Sequence, residues 1–425
     1  MTEAVYDVIV VGAGAAGLLA AARCAERELR TVLVEKNRKP GVKILMSGGT
    51  RCNITHHCDV AGIIASFGSA GSFLHSALAA MGPRELVELF EAEGLATKVE
   101  AGGKVFPKSD RAADVLEALL RRLRRSAAEL ALDEPVSGVN KVSAGFEVST
   151  NRRTLLCEKL IVTTGGKSYP GCGTVGDGYR WLAELGHTIR KPRPALVPLT
   201  TDEKWIHDLA GVTLPDVSLQ VVERNTSVAT GKRRRTGLPP GVLIERRGSL
   251  LFTHFGLSGP AVLDVSRAVT GFANLESTLL RIDFLPAISL AGLDTQLKVA
   301  AANEGKRLVA SWLNEQLPRR LSDALLASAN VPGDRRLAEF SSNERQTVLN
   351  RVKRCEISVS GSRGFEKAEV TAGGVALDEV DSRTMESKLV PGLYLAGEIL
   401  DLDGFIGGYN FQAAFSTAWI AGESV

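Results

Sequence analysis

The sequence lacks an excess of either charge. Its 425 residues carry 51 Lys and Arg against 48 Asp and Glu, a formal net charge of +3, so no single-sign field draws the whole chain onto nucleic acid or an anionic membrane. Charge thus says little about partners beyond this, and neither a nucleic-acid nor a membrane partner is expected; the partner expected is a small-molecule substrate. Uninterrupted hydrophobic runs of spanning length are missing too. The longest apolar stretch, Val8 to Ala22, follows the acidic Glu3 and Asp7 and is interrupted by glycines at fixed offsets, which argues against an export signal and a membrane span. A cytoplasmic location is the expectation. Cysteine is sparse: the six residues Cys24, Cys52, Cys58, Cys157, Cys172 and Cys355 are scattered, unlike the framework of a small disulfide scaffold, and free thiols follow. The cluster Cys52, His56, His57 and Cys58 has no second Cys or His pair beside it to complete a structural zinc site, so no metal is expected. Repeats and low-complexity tracts are also absent.

What is present begins with size. A chain of this length exceeds what one hydrophobic core organises, so two or three lobes are expected, and its 44% apolar content is ordinary for a globular protein. Asp7 to Val11 reads as a buried strand, followed at once by Gly12-Ala13-Gly14-Ala15-Ala16-Gly17 and an Ala/Leu-rich helix to Arg27. Each glycine has a mechanical reason. Gly12 permits the tight turn, Gly14 lets the backbone approach a pyrophosphate, and Gly17 lets the helix pack close to the strand. The helix N-terminus offers free N–H groups and a positive dipole end. A second strand, TVLVE, ends at Glu35, placed to accept hydrogen bonds from an adenosine ribose and to repel a 2′-phosphate. Lys36 stands beside it. At this point the pattern says dinucleotide and leaves FAD or NAD open.

Lys43 to Thr55 carries little periodicity and reads as a loop around a ligand. Lys43, Ser47, Gly48, Gly49, Arg51, Cys52 and Asn53 are its candidate contacts, since successive N–H groups with Arg and Asn donors suit a pyrophosphate and a flavin ring edge. Midway, KLIVTTGG is a strand ending in the turn Thr164-Gly165-Gly166, followed by the glycine-rich SYPGCGTVGDG. Cys172 lies there without a CxxC partner, which speaks against a dithiol relay. Near the far end, VPGLYLAGE closes on Gly397 and Glu398; Asp401, Asp403 and Gly404 come next, then Gly407-Gly408-Tyr409-Asn410 and a helical run. Asn410 is read as the N-cap of that helix, whose N-terminus would stabilise negative charge on a reduced flavin.

These pieces resemble the bacterial aminoacetone-oxidase-like family of FAD-binding proteins, a group that includes a bile-acid steroid reductase. The matching segments are VIVVGAGAAGL, KILMSGGTRCNIT, KVFP at Lys104 to Pro107, LIVTTGGKSYPGCGTVGDGY, FTHFGLSGPAVL, and VTAGGVAL running on to GLYLAGEILDLDGFIGGYNFQAAFSTAWIAG. They occur in order over nearly the whole chain. The sequence departs at Thr50, where the family generally has a third glycine, and at His56, commonly asparagine. The resemblance implies a bound FAD, its ADP half on the N-terminal fingerprint and its isoalloxazine facing the C-terminal loop, and it adds a backbone contact from Val136 to adenine. No His or Cys announces a flavin linkage, so noncovalent binding is expected.

The fold class is thus α/β, a Rossmann-type FAD-binding domain with an inserted β-barrel-like domain and a helical subdomain. Residues 1–190 and 356–425 would form the first, 191–286 the β-rich insertion and 287–355 the helices. Within the insertion, His254 is a candidate substrate-side acid or base because histidine titrates near neutral pH, with Tyr409 a second candidate catalytic residue. The basic run Lys232 to Arg235 reads as a solvated hairpin tip. Function follows as hydride transfer between flavin N5 and a small amine, activated alkene or ketone in a cleft between the lobes. Oxygen or NAD(P)H is the second partner. Only one full dinucleotide fingerprint is evident, so a nicotinamide visits the flavin transiently or the substrate itself reduces it. The alternative is a flavin-holding RNA-modification protein or redox-responsive binding module, with the basic run meeting RNA phosphates.

Overall fold

The computed structural model describes residues 4–224, 238–272 and 277–425; the basic run Lys232 to Arg235 lies outside them. Two compact units divide the chain. One contains the residues up to Pro194 together with Phe365–Val425, the other Ala195–Gly364.

The first unit is built on strands β1 (Ala4–Val11), β2 (Thr31–Val34), β3 (Thr55–His56), β4 (Thr97–Val99), β5 (Lys104–Pro107), β6 (Glu129–Ala131), β7 (Val136–Val142), β8 (Gly145–Thr150) and β9 (Thr154–Val162). Its main sheet runs β6-β2-β1-β9-β8-β7. The β6, β2, β1 and β9 part is parallel, while β7, β8 and β9 form an antiparallel meander. The later strand Leu393–Leu395 lies parallel to the second half of β9. Ile9, Val10 and Leu33 are fully buried, as expected of parallel strands covered on both faces. Helix α1 (Ala15–Glu26) and the terminal helix Tyr409–Ser424 pack beside one another over this sheet. Their contact relies on small residues, for a Cβ on Gly422 would stand 2.9 Å from that of Arg23 and 3.0 Å from the Ala20 carbonyl oxygen.

Register positions the site. Val11 pairs with Val34 and with Val162, and Val162 pairs with Leu395. Four parallel strands therefore finish in one row, and the residues that follow them, Gly12, Glu35, Thr163 and Ala396, share one edge of the sheet. Ligands of open α/β sheets bind beyond the carboxyl ends of their strands. A separate three-stranded antiparallel sheet, β3-β5-β4, belongs to the same unit.

The second unit holds a seven-stranded antiparallel sheet. Helices Leu290–Asn303, Val309–Leu313, Arg319–Ser328 and Ser342–Lys353 follow its central strands, and the last of these opens with a full capping box of Ser341 and Glu344. Leu293, Leu297, Trp312 and Val352 from the helices share one hydrophobic cluster with Leu219, Phe252 and Ile282 from the sheet. Residue 286 is thus no boundary between cores: strand Cys355–Ser358 returns to pair with Thr278–Asp283 and ties sheet and helices together. Among the described residues no helix is long and apolar enough to cross a membrane.

Candidate functional site

The first glycine turn is shaped by packing. A Cβ on Gly17 would overlap the Gly12 carbonyl oxygen and stand 2.6 Å from Thr163 Oγ1, and one on Gly12 would stand 2.9 Å from the Thr163 carbonyl oxygen. Thr163 completes the junction by donating its hydroxyl to the carbonyls of Val11 and Gly12, both at 2.9 Å. Gly14 differs, since nothing lies within 4 Å of a Cβ there. It caps α1 in an extended conformation without a side-chain cap bond, ahead of Ala15 and Ala16. The open space thus adjoins the positive end of the helix.

Glu35 is buried, 8% exposed. Its carboxylate accepts the Ala13 N–H at 2.7 Å through Oε2 and the Asn37 N–H at 2.8 Å through Oε1, which binds the tip of β2 to the glycine turn. Two carboxylate oxygens offer about four acceptor sites, so capacity remains for a ribose. Lys36 turns instead to Asp177, 2.5 Å away at the start of helix Asp177–Glu184.

The loop after β2 concentrates left-handed backbone. Gly48, Gly49, Thr50 and Cys52 have φ of 55°, 65°, 69° and 59°. Glycine adopts this conformation freely, whereas the β-branched Thr50 adopts it at a steric cost. Ser47 Oγ donates to the Ile44 carbonyl and the Ser47 carbonyl accepts the Cys52 N–H, at 2.7 and 3.1 Å. Burial pushes the Cys52 thiol up to about 12. The Arg51 guanidinium lies over the Phe106 ring at 4.0 Å and pairs with Glu100 and Asp110 at 2.7 and 3.1 Å. The pairing with Arg51 holds the Glu100 carboxyl below the usual range, and Lys98, with Arg51, does the same to Asp110. The guanidinium expected to face a pyrophosphate or ring edge is paired here with acids that flank the strands β4 and β5.

Lys43 and Glu398 meet across 355 positions of sequence: Nζ donates to Glu398 Oε2 at 2.6 Å and to Ser168 Oγ at 2.7 Å. Ser168 Oγ donates to the other carboxylate oxygen at 2.8 Å, which also accepts the Thr371 N–H at 3.0 Å. Four segments are locked by one carboxylate. Gly166 sits against it, and a Cβ there would stand 2.8 Å from Glu398 Oε1. Burial, with the charges of Glu398 and Asp401, raises the neighbouring Tyr179 phenol above its usual range. Asp401 accepts the Gly373 N–H at 3.0 Å. Gly165 is left-handed at φ 71°, while Val136 is half-buried at the start of β7 and pairs with Thr150.

The terminal helix corrects one expectation. Gly408, left-handed at φ 94°, is its N-cap, and Asn410 lies inside the first turn. The Asn410 amide instead holds the preceding loop, accepting the Gly404 N–H at 2.8 Å and donating to the carbonyls of Gly404 and Phe405 at 3.1 and 3.3 Å. Gly408 is pressed onto the earlier loop: a Cβ would stand 2.5 Å from the Thr55 carbonyl oxygen and 2.8 Å from Asn53 Oδ1. Gly397, φ 80°, approaches α1, where a Cβ would stand 3.0 Å from that of Ala16. The fingerprint, the loop after β2, the end of β9 and the C-terminal loop thus converge on one sheet edge. His254 belongs to the second unit, exposed at a hairpin turn with its ring edge-on to Phe255 at 5.1 Å. Sequence reasoning missed His56, whose Nδ1 lies 3.1 Å from the Gly407 carbonyl oxygen; its departure from the family's asparagine was the available signal.

Two buried oxygens near this edge, Thr164 Oγ1 and Asn53 Oδ1, have no hydrogen-bond partner among the described residues, and unpaired buried polar atoms call for a ligand or water. A family model described as HI0933-like protein Rossmann domain matches residues 6–424. The chain belongs to this HI0933-like family. Among relatives, it is 33% identical to a protein named ribosomal RNA dihydrouridine synthase from Escherichia coli (strain K12), over 99% of this chain and 98% of that one. It is 29% identical to a 3-dehydro-bile acid delta(4,6)-reductase of Clostridium scindens (strain ATCC 35704 / DSM 5676 / VPI 13733 / 19), over 98% of each. A solved structure of 3-ketosteroid-delta4-(5alpha)-dehydrogenase from Rhodococcus jostii RHA1 matches in fold, with 13% identity, a TM-score of 0.50, and coverage of 100% of this chain and 97% of that one. Family membership and fold agree with the resemblance read from the motifs. This member of the HI0933-like family is an FAD-dependent oxidoreductase.

Proposed function

We propose that the chain reduces a carbon–carbon double bond conjugated to a carbonyl, that its substrate is a uridine of ribosomal RNA, and that NAD(P)H supplies the electrons. The observation that carries this reading is the 33% identity, over essentially the full length of both chains, to a protein named ribosomal RNA dihydrouridine synthase. The bile-acid reductase relative supports the reaction type: the C5–C6 bond of uracil and the double bond of a 3-oxo steroid are both activated by a carbonyl, so each takes a hydride at the far carbon and a proton at the near one. The even charge balance made a nucleic-acid partner unexpected. A local contact to one unstacked base does not need a basic chain, and on this reading that expectation gives way.

FAD, when bound, supplies the hydride at N5. The residues at the sheet edge suit its parts. The free N–H groups of α1 and the space above Gly14 suit the pyrophosphate, the remaining lone pairs of Glu35 the adenosine ribose, and the unpaired oxygens of Thr164 and Asn53 the N–H and O–H donors of the ribityl–flavin half. The N-terminus of the terminal helix favours negative charge in the preceding loop. Tyr409, in its first turn, is the proton donor of this reading, returning to the phenol by exchange with solvent.

The test has two parts. Ribosomal RNA from a strain lacking the gene should lose a dihydrouridine that the plasmid-borne gene restores, read by mass spectrometry of nucleosides. The purified yellow protein, reduced anaerobically by NADH or NADPH, should be reoxidised by unmodified ribosomal RNA. Unchanged dihydrouridine content together with no reoxidation by RNA would sink the reading, and reoxidation by a 3-oxo-4-ene steroid alone would move the substrate to the other relative's class.

A further inference from the structure

His56 stands outside the contacts so far given to cofactor or substrate, yet it is tied to the one residue named as proton donor. Its ring stacks on that of Tyr409, with centroids 4.6 Å apart and planes 18° from parallel. Its Nδ1 lies 3.1 Å from the Gly407 carbonyl oxygen. A carbonyl only accepts, so Nδ1 carries the hydrogen and donates it. Gly103 approaches the other nitrogen closely, for a Cβ on it would stand 2.5 Å from His56 Nε2. The imidazole lies between Gly103, in the turn that leads into β5, and Tyr409 on the terminal helix.

The anchorage of this wedge is firm. His56 pairs with Lys104 and Thr55 with Val105 in the three-stranded sheet, and the His57 N–H donates to the Gly103 carbonyl. Thr55 Oγ1 donates to Gln412 Oε1 at 2.5 Å, one turn along the terminal helix from Gly408, and Gln412 is in turn held by the Met81 carbonyl at 2.9 Å. Strand β3 thus grips the start of that helix at two points. The Thr55 bond fixes the helix, whereas the His56 ring bears on the Tyr409 side chain.

We propose that His56 is a positioning residue that fixes the ring of Tyr409 against the three-stranded sheet and so sets where its phenol stands for proton delivery. The kinetic half of the proposal rests on the reading given under Proposed function; the geometric half does not. An aromatic partner at van der Waals distance restricts ring orientation by dispersion and quadrupole contact, and a proton donor displaced by a fraction of its reach loses turnover steeply.

The test uses the full chain with its FAD and the variants His56→Ala, His56→Phe and Gly103→Ala. Ring resonances of the five tyrosines are followed with carbon-13-labelled tyrosine, that of Tyr409 assigned by its disappearance in Tyr409→Phe. In His56→Ala the Tyr409 signal should shift as the stacked ring's current is removed, and turnover of unmodified ribosomal RNA should fall about tenfold while KM for the nicotinamide changes less than about twofold. His56→Phe, which keeps the ring and loses the donor, should restore most of the turnover. Gly103→Ala should move the Tyr409 signal without touching either aromatic residue. An unmoved Tyr409 resonance in His56→Ala overturns the proposal, and so does a shifted resonance with wild-type turnover. Should the wild-type protein reduce no uridine at all, the functional reading fails while the resonances still decide whether His56 holds Tyr409.

Discussion

The first two glycine-bearing loops of the site need glycine for opposite reasons. In the turn after β1, Gly12 and Gly17 are required by crowding, because neighbouring backbone fills the space a side chain would take. In the loop after β2, Gly49 has nothing within 4 Å of a Cβ, and backbone angle is what selects it. The first loop is a packed joint and the second a bent wire. Substitution should therefore act on folding in the first and on local strain in the second.

Gly17→Val makes the largest break. Overlap with the Gly12 carbonyl oxygen cannot be relieved by a side chain moving, so a loss of about 3 kcal/mol or more is expected, seen as insoluble protein or a collapsed thermal midpoint. Gly14→Val, three residues away, should fold with an unchanged circular dichroism spectrum and come off the column colourless. A Gly17→Val protein that retains FAD would remove the crowding argument.

Glu35→Gln tests the link from the joint to the ribose. The amide has one acceptor oxygen for the two N–H groups that the carboxylate now serves, and about 1.5 to 3 kcal/mol of charged hydrogen bonding is at stake. FAD affinity by fluorescence titration should weaken tenfold or more on that scale, with a smaller fall in apoprotein stability; equal falls in both would assign Glu35 to the scaffold alone.

The acid cluster around Arg51 sharpens the second loop. The folded state holds Glu100 and Asp110 below their ordinary values, so their contribution is complete above the unfolded carboxylate range and is lost as pH falls through the lower folded values. Thermal midpoints of the wild type should decline on acidification into and below the ordinary carboxylate range, and Arg51→Met should flatten part of that decline. Identical slopes would show that the pairs add nothing. The smallest effect belongs to Thr50→Gly, which relieves a left-handed threonine at the cost of a freer unfolded chain and should stabilise by at most about 1 kcal/mol in urea melts.

The same contrast governs what the sequence allowed to be read. Gly12 to Gly17 come with a strand before and a helix after, and Gly407-Gly408 directly precede a helix, so both declared themselves through local pattern. Glu35 was legible as an acidic strand tip, while its bonds to the Ala13 and Asn37 N–H groups depend on how the turn folds back. Lys43 with Glu398, and Arg51 with Glu100 and Asp110, were legible as polar loop residues, but their pairing with one another was not. Charge partners are chosen by tertiary approach, and nothing local marks a lysine whose carboxylate lies at the far end of the chain. Asn410 was misplaced as a cap because an asparagine beside a helix start serves equally well to tie the loop before it. Crowding against Gly103 gave His56 its position, and a ring wedged by backbone leaves no periodic trace.

The way β9 is shared has one further consequence. Its first half is completed by β8, made just before it, but its second half waits for Leu393–Leu395, which follows the whole inserted unit in the chain. During synthesis that edge of Leu160, Ile161 and Val162 stays unpaired until that unit has been made. A chain stalled in the insertion would therefore carry a bare hydrophobic strand edge, the kind of edge that pairs with neighbouring chains.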